Sequence, residues 1–283
     1  MNLTSISEIK PIMEKHGFTF SKSLGQNFLI NKDIPQKIAE NAGVDENTTV
    51  LEVGPGVGCL TSCLAKRAKK VVAVEIDNRL LPVLEETLAE FDNIEIINAD
   101  ILKTDICDLC KKYGITAVCA NLPYYITTPV IMYLLESGAP FKSITVMVQK
   151  EVAQRLNANP GTKEYGAISL AVNYYTIPKI LFNVSPGSFM PAPKVSSSVI
   201  RFDVRDKKLE VSDEKLMFRL IKAGFSKRRK TLVNAIAEEF KMSKDQIINI
   251  INKSGLKCDI RAERLSIEDF ARLCDNFKAL NSI

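Results

Sequence analysis

The chain has 283 residues, of which 46% are hydrophobic and 25% charged, with a formal net charge of +5. That length supports one full core and leaves room for a small second domain, and the mildly basic balance admits an anionic partner without demanding one. Its one histidine, His16, lies in the N-terminal segment far from every motif below, which argues against a Ser-His-Asp triad and against a His-rich metal centre.

Met1 to Lys15 scatter Glu8, Lys10, Glu14 and Lys15 among short apolar pairs, so no signal-peptide core fits there. No run of about 18 apolar residues occurs. A cytoplasmic protein without a membrane partner is expected. The seven cysteines, odd in number and scattered, read as reduced thiols. Cys107 and Cys110 form a single C-x-x-C with no second ligand pair, so no metal is expected.

From about Thr48 short β-branched runs alternate with helical spacing. Thr49 to Val53 is a predicted strand, and a glycine turn and the helical pattern of Leu60, Leu64 and Ala68 follow it. Val71 to Glu75 is the next strand. Ile94 to Ile97, Ala117 to Ala120 and Ile144 to Val148 are three more. Continuous apolar strands separated by helices mean a parallel sheet covered on both faces. Ile180 to Val184 and Ser196 to Phe202 then flank a Pro-rich loop with no helix between them, which fits a hairpin at the far edge of the sheet with its second strand antiparallel. Beyond Asp206 the pattern is helical, with capping-box signatures at Ser243/Gln246 and Ser266/Asp269. A boundary near Asp206 gives a first domain over residues 1–205 and a helical one over 206–283.

The first turn reads Glu52-Val53-Gly54-Pro55-Gly56-Val57-Gly58. Glycines there let the backbone turn tightly and approach a ligand, at the strand tip where an open α/β sheet binds its ligands. A nicotinamide site wants G-x-G-x-x-G, whereas G-x-G-x-G after an acid is the form seen in class I methyltransferases. Glu75 ends the second strand, placed to accept both ribose hydroxyls of a nucleoside. Asp100, after the third, is placed to accept from an adenine amino group.

The fourth strand runs into Asn121-Leu122-Pro123-Tyr124. The lone pair of an adenine N6 is delocalised into the ring, so the amine is a poor nucleophile. Two acceptors on its two hydrogens would draw it toward a tetrahedral geometry. The Asn121 side-chain oxygen and the Leu122 carbonyl suit that task, with Leu122 restricted by Pro123. Tyr124 offers a stacking face worth about 1–3 kcal/mol, and Phe189 is the candidate for the opposite wall. This chemistry fits an amine on a planar base in DNA or RNA. An activated methyl donor needs no strong base, in keeping with the scarcity of histidine.

Over nearly its whole length the chain resembles the ribosomal RNA adenine dimethyltransferases, and within them the small-subunit branch. The resemblance is carried by Lys22 to Leu29, Glu52 to Gly58, Val74 to Asp77, Asn98 to Asp100, Asn121 to Tyr124, Pro160 to Gly166 and Phe189 to Val195. It implies a Rossmann-like class I methyltransferase fold, a mostly parallel seven-stranded sheet with an antiparallel strand, followed by a small all-α domain. It implies S-adenosylmethionine as cofactor, with Asn27 and Leu29 lining its pocket, Gly54 at the methionine end, Glu75 on the ribose, Asp100 on the adenine and Asn121 touching cofactor and target. Gln26, Glu52, Gly56, Ile76 and Ile101 complete the expected cofactor set. The implied substrate is a pair of adjacent adenines in a hairpin loop near the 3′ end of 16S rRNA, each dimethylated within an immature small subunit, with a role in ribosome assembly; a monomer is expected. Lys227-Arg228-Arg229-Lys230 is the densest basic run and is expected to open a helix and hold RNA phosphates. Two rival readings are a macrolide-resistance methyltransferase acting on 23S rRNA, which typically carries Ile where Leu122 stands, and a non-catalytic assembly factor.

Overall fold

The computed structural model describes residues 1–18, 27–207, 209–227 and 229–281. In chain order α1 (Ile6–Lys15), β1 (Phe28–Leu29) and α2 (Asp33–Asn41) lead into an alternating series: β2 (Thr49–Val53), α3 (Cys59–Ala65), β3 (Lys70–Glu75), α4 (Leu81–Thr87), β4 (Ile94–Asn98), α5 (Ile106–Tyr113), β5 (Ile115–Asn121), α6 (Thr127–Glu136) and β6 (Ser143–Gln149). Then come α7 (Lys150–Leu156), α8 (Ala167–Tyr175), β7 (Thr176–Val184), β8 (Phe189–Met190), β9 (Ser197–Val204), and the helices α9 (Glu214–Phe225), α10 (Leu232–Phe240), α11 (Lys244–Lys253) and α12 (Ile267–Asn281).

The apolar runs become one seven-stranded sheet in the order β4-β3-β2-β5-β6-β9-β7. β2 pairs parallel with both β3 and β5, β3 with β4, and β5 with β6, while β9 runs antiparallel to β6. The Rossmann-like class is therefore as expected. The two late strands straddle the Pro-rich loop as the sequence suggests, but β9 is inserted between β6 and β7, so the earlier strand takes the edge. Strand order reverses between β2 and β5, and the carboxyl ends of β2 to β5 share one rim, which is where such sheets form ligand crevices.

Each face of the sheet is buried by amphipathic helices. Ile38 and Ala39 of α2 and Leu60 and Leu64 of α3 pack on Val50 and Cys119. A second cluster joins Ile9 and Met13 of α1 to Val83 and Leu84 of α4. Burying a large aliphatic side chain contributes about 1.5–3 kcal/mol, which explains why strands this apolar are confined to the middle of the fold.

The chain forms two units, Met1–Ala153 with Pro178–Val204, and Gln154–Ile177 with Arg205–Ile283. A single boundary near Asp206 thus misses one excursion: residues 154–177 pack with the C-terminal helices. The reason lies in side chains. The Tyr174 and Tyr175 hydroxyls both donate to Glu214 of α9, at 3.1 and 3.0 Å, and the Tyr175 ring stacks on Phe218. Within the same unit the Pro160–Gly166 segment is pinned by Gly161 N–H donating to the Glu263 carbonyl at 2.7 Å and by the Tyr165 hydroxyl donating to the Leu265 carbonyl at 2.8 Å. Both capping boxes form: Ser243 caps α11 reciprocally with Gln246, and Ser266 pairs reciprocally with Asp269 at the start of α12. The basic run does not open a helix. Lys227, Arg229 and Lys230 lie in the connection between α9 and α10, whose N-cap is Thr231; Arg228 lies outside the described residues.

Among the described residues no helix is long and apolar enough to cross a membrane. No group of three or more His, Cys, Asp or Glu residues is arranged to hold a metal ion among them, and all seven cysteines are free thiols.

Candidate active site at the strand tips

Four parallel strands end side by side, and the tips of β2 and β4 are tied to β3 between them. Gly54 N–H donates to the Val74 carbonyl at 2.9 Å, Ala99 N–H to the Glu75 carbonyl at 3.0 Å, and the Asn98 amide to the same Glu75 carbonyl at 2.8 Å. A cavity of about 270 Å³ opens over these tips. This is close to the lower bound of ordinary small-molecule sites, roughly 300 Å³.

The glycine turn makes one wall. Gly54 and Gly56 have φ values of +71° and +62°, in the left-handed region that side chains disfavour. A Cβ on Gly56 would stand 2.9 Å from the Phe28 ring, whereas nothing lies within 4 Å of one on Gly54, whose backbone faces open space. The Glu75 carboxylate is 5% exposed, and it accepts from Asp77 N–H at 2.9 Å and from Gly56 N–H at 3.3 Å. Burial raises its pKa above the ordinary carboxylate value, opposed by those two backbone donors. Asp100 caps the turn after β4, accepting from Leu102 N–H at 3.1 Å.

The Asn121 to Tyr124 tetrapeptide forms the opposite wall. The Asn121 Nδ2 donates to the Asn27 carbonyl at 3.4 Å, so Oδ1 is the acceptor end of that amide. The Tyr124 hydroxyl and Ser197 Oγ are 2.8 Å apart, and burial raises the phenol pKa, opposed by that hydrogen bond. Phe189 enters from β8, which pairs antiparallel with β1 so that Leu29 faces Phe189 and Phe28 faces Met190.

Twelve of the residues singled out from sequence line this one cavity: Asn27, Gly54, Gly56, Glu75, Ile76, Asp100, Ile101, Asn121, Leu122, Pro123, Tyr124 and Phe189. Leu29 does not; it lines a neighbouring apolar groove with α1. Glu52 does not either. It is 1% exposed, and its register neighbours are Ala73, Cys119 and, one strand further, Thr145. Strand alternation turns Glu52 away while Val53 faces the cavity. Its Oε2 has no hydrogen-bond partner among the described residues, and burial pushes its carboxyl up to about 8, with the Thr61 hydroxyl opposing and Glu75 reinforcing. Gln26 lies outside the described residues. Two further residues belong to the site: Phe28, inside the Lys22 to Leu29 motif, which also lines the cavity, and Ser197, which is more than seventy residues from the tyrosine it holds and carries no local signal.

A mostly parallel seven-stranded sheet with β9 antiparallel, and a cavity over the tips of its central strands, defines a Rossmann-like methyltransferase. Residues 17–279 match the model of the ribosomal RNA adenine dimethylase family. The chain is 48% identical over 279 residues to a ribosomal RNA small subunit methyltransferase A from Alkaliphilus oremlandii, covering 97% of each chain. It is 46% identical to the protein of that name from Streptococcus gordonii, covering 99% of each. Among solved structures it resembles a dimethyladenosine transferase from Plasmodium falciparum, with a TM-score of 0.79 and 27% identity over 90% of this chain and 98% of that one. It also resembles the 23S rRNA methyltransferase ErmE, with a TM-score of 0.71 and 25% identity over 89% and 100%. The chain belongs to the ribosomal RNA adenine dimethylase family, and it is an enzyme of the adenine-dimethylating class.

Proposed function

We propose that the chain transfers methyl groups from S-adenosylmethionine to the N6 atoms of two adjacent adenines in a hairpin loop near the 3′ end of 16S rRNA, within an immature small subunit in the cytoplasm. The observation that carries this reading is the convergence of Gly54, Glu75, Asp100, Asn121 and Tyr124 on one cavity. Their chemistry suits the cofactor: a buried carboxylate for vicinal ribose hydroxyls, a second acid for an exocyclic amine, and a glycine backbone open to the methionine end. When bound, S-adenosylmethionine supplies a methyl group already activated by its sulfonium.

The chain's own residues then have a positioning and electrostatic task. Asn121 Oδ1 and the Leu122 carbonyl accept hydrogen bonds from the two N6 hydrogens in the first transfer, and one of them from the hydrogen that remains in the second, which frees the lone pair; each transfer releases one N6 proton to water. Tyr124 and Phe189 hold the flipped base between ring faces, offsetting an unstacking cost of a few kcal/mol. The Ser197 hydrogen bond keeps Tyr124 in place. The helical unit, with Lys227 to Lys230, selects the RNA. Small-subunit relatives near 48% identity, against 25% for ErmE, favour 16S over 23S rRNA as substrate. Methyl transfer to purified 30S and 50S particles lacking the modifications, followed by mass mapping of nucleotides, tests the reading. Dimethyladenosine pairs in 30S particles are expected; product in 50S particles alone would overturn it.

A further inference from the structure

We infer that Tyr125 is a stacking platform for the nucleotide adjacent to the one whose base enters the cavity. The inference rests on the proposed RNA substrate and assigns it a second base-binding subsite.

Two consecutive aromatic residues stand at the cavity mouth in opposite situations. Tyr124 is half-buried, its hydroxyl held 2.8 Å from Ser197 Oγ. Tyr125 also lines the cavity, yet is 57% exposed. Its backbone is fixed from both sides. Asn121 ends β5, and beyond Tyr125 the Pro123 carbonyl accepts from Ile126 N–H and from Thr127 Oγ, both at 3.2 Å, as α6 begins. An aromatic ring is thus presented to solvent on a pinned turn, one residue outside the ring proposed to hold the target base. Consecutive nucleotides are joined by a single phosphodiester, so extruding one base strips a stacking face from its neighbour. An exposed ring at the rim restores that face. Stacking needs only a π-surface, so the subsite favours a purine by contact area and reads no base edge.

The test compares Tyr125→Ala and Tyr125→Phe with the unsubstituted chain on 30S subunits lacking the modification. Losing the ring is expected to raise KM for the subunit about tenfold, equivalent to about 1.4 kcal/mol, while kcat stays within about threefold and S-adenosylmethionine affinity by calorimetry is unchanged. Phe, which keeps the ring, restores KM. In a hairpin RNA carrying 2-aminopurine on either side of the target adenine, binding quenches the probe at one flank with the parent and the Phe variant but not with Ala. An unchanged KM in Tyr125→Ala, or a Phe variant as impaired as Ala, would overturn the subsite and leave the proposed reaction standing. No transfer by the unsubstituted chain to 30S subunits would overturn the reaction, and the subsite with it.

Discussion

Although an acid before the glycine turn suits a cofactor contact, the two-residue alternation of β2 sends the Glu52 carboxyl away from the cavity and toward Thr61 of α3. With its pKa pushed up to about 8 against an ordinary 4.5, the folded chain holds a proton between those values that the unfolded chain has released. Stability therefore falls as pH rises from about 4.5 to 8. Glu52→Gln removes that titration, so the variant should gain on the parent by up to about 1.4 kcal/mol per pH unit across the window. Urea unfolding of the cofactor-free proteins at pH 5, 6.5 and 8 measures this, and parallel profiles would sink it. At the opposite wall, Asn121→Ala should lower kcat at least about a hundredfold with S-adenosylmethionine affinity reduced far less, as single-turnover assays and calorimetry on one preparation would show. A loss confined to cofactor binding would contradict the acceptor role given to Asn121.

At the scale of elements, the glycine turn connects backbone strain to the site. Gly56 sits at φ +62° with the Phe28 ring where a Cβ would be. Gly56→Ala would impose a left-handed alanine, at about 1–2 kcal/mol, and would push Phe28 from the wall. The strain lowers stability, and the displaced Phe28 is expected to weaken S-adenosylmethionine binding by about tenfold, equivalent to about 1.4 kcal/mol; calorimetry giving an unaltered affinity would mean the wall repacks freely. The strands β2 to β6 were legible because each is a nearly continuous apolar run between turn signals. The pairing of β1 with β8 was not, since two-residue strands carry no periodicity and owe their existence to Phe28 and Phe189 closing the cavity. The order β6-β9-β7 was equally hidden, because antiparallel neighbours across a loop look alike in sequence whichever of them takes the edge.

For the whole molecule, a net charge of +5 is too small to locate an RNA surface, so the basic run has to be judged by its surroundings. Lys227 and Lys230 both donate to Glu238, each at 2.6 Å, and hold its carboxyl at about 2, so the carboxylate stays ionised throughout the physiological range. In the proposed role of this run, RNA phosphates would compete with that internal anion. Replacing Lys227, Arg228, Arg229 and Lys230 together with Ala should weaken binding to 30S subunits and reduce the salt slope by about two to four. Glu238→Gln should do the reverse, tightening binding and steepening its salt dependence. Filter binding from 50 to 300 mM KCl distinguishes these outcomes, and a Gln variant that binds more weakly would show that Glu238 orders the run rather than competing for it.

Local periodicity and the residue types at strand ends make the α/β class, the five parallel strands and the glycine turn legible, and the family resemblance completes the set of twelve predicted residues that line the cavity. Tertiary structure alone decided the rest. It turned Glu52 inward, brought Ser197 to Tyr124, packed residues 154–177 with the C-terminal helices, and left Tyr125 exposed at the rim. Each of these depends on which face of an element meets a partner distant in the chain, and no local pattern encodes that partner.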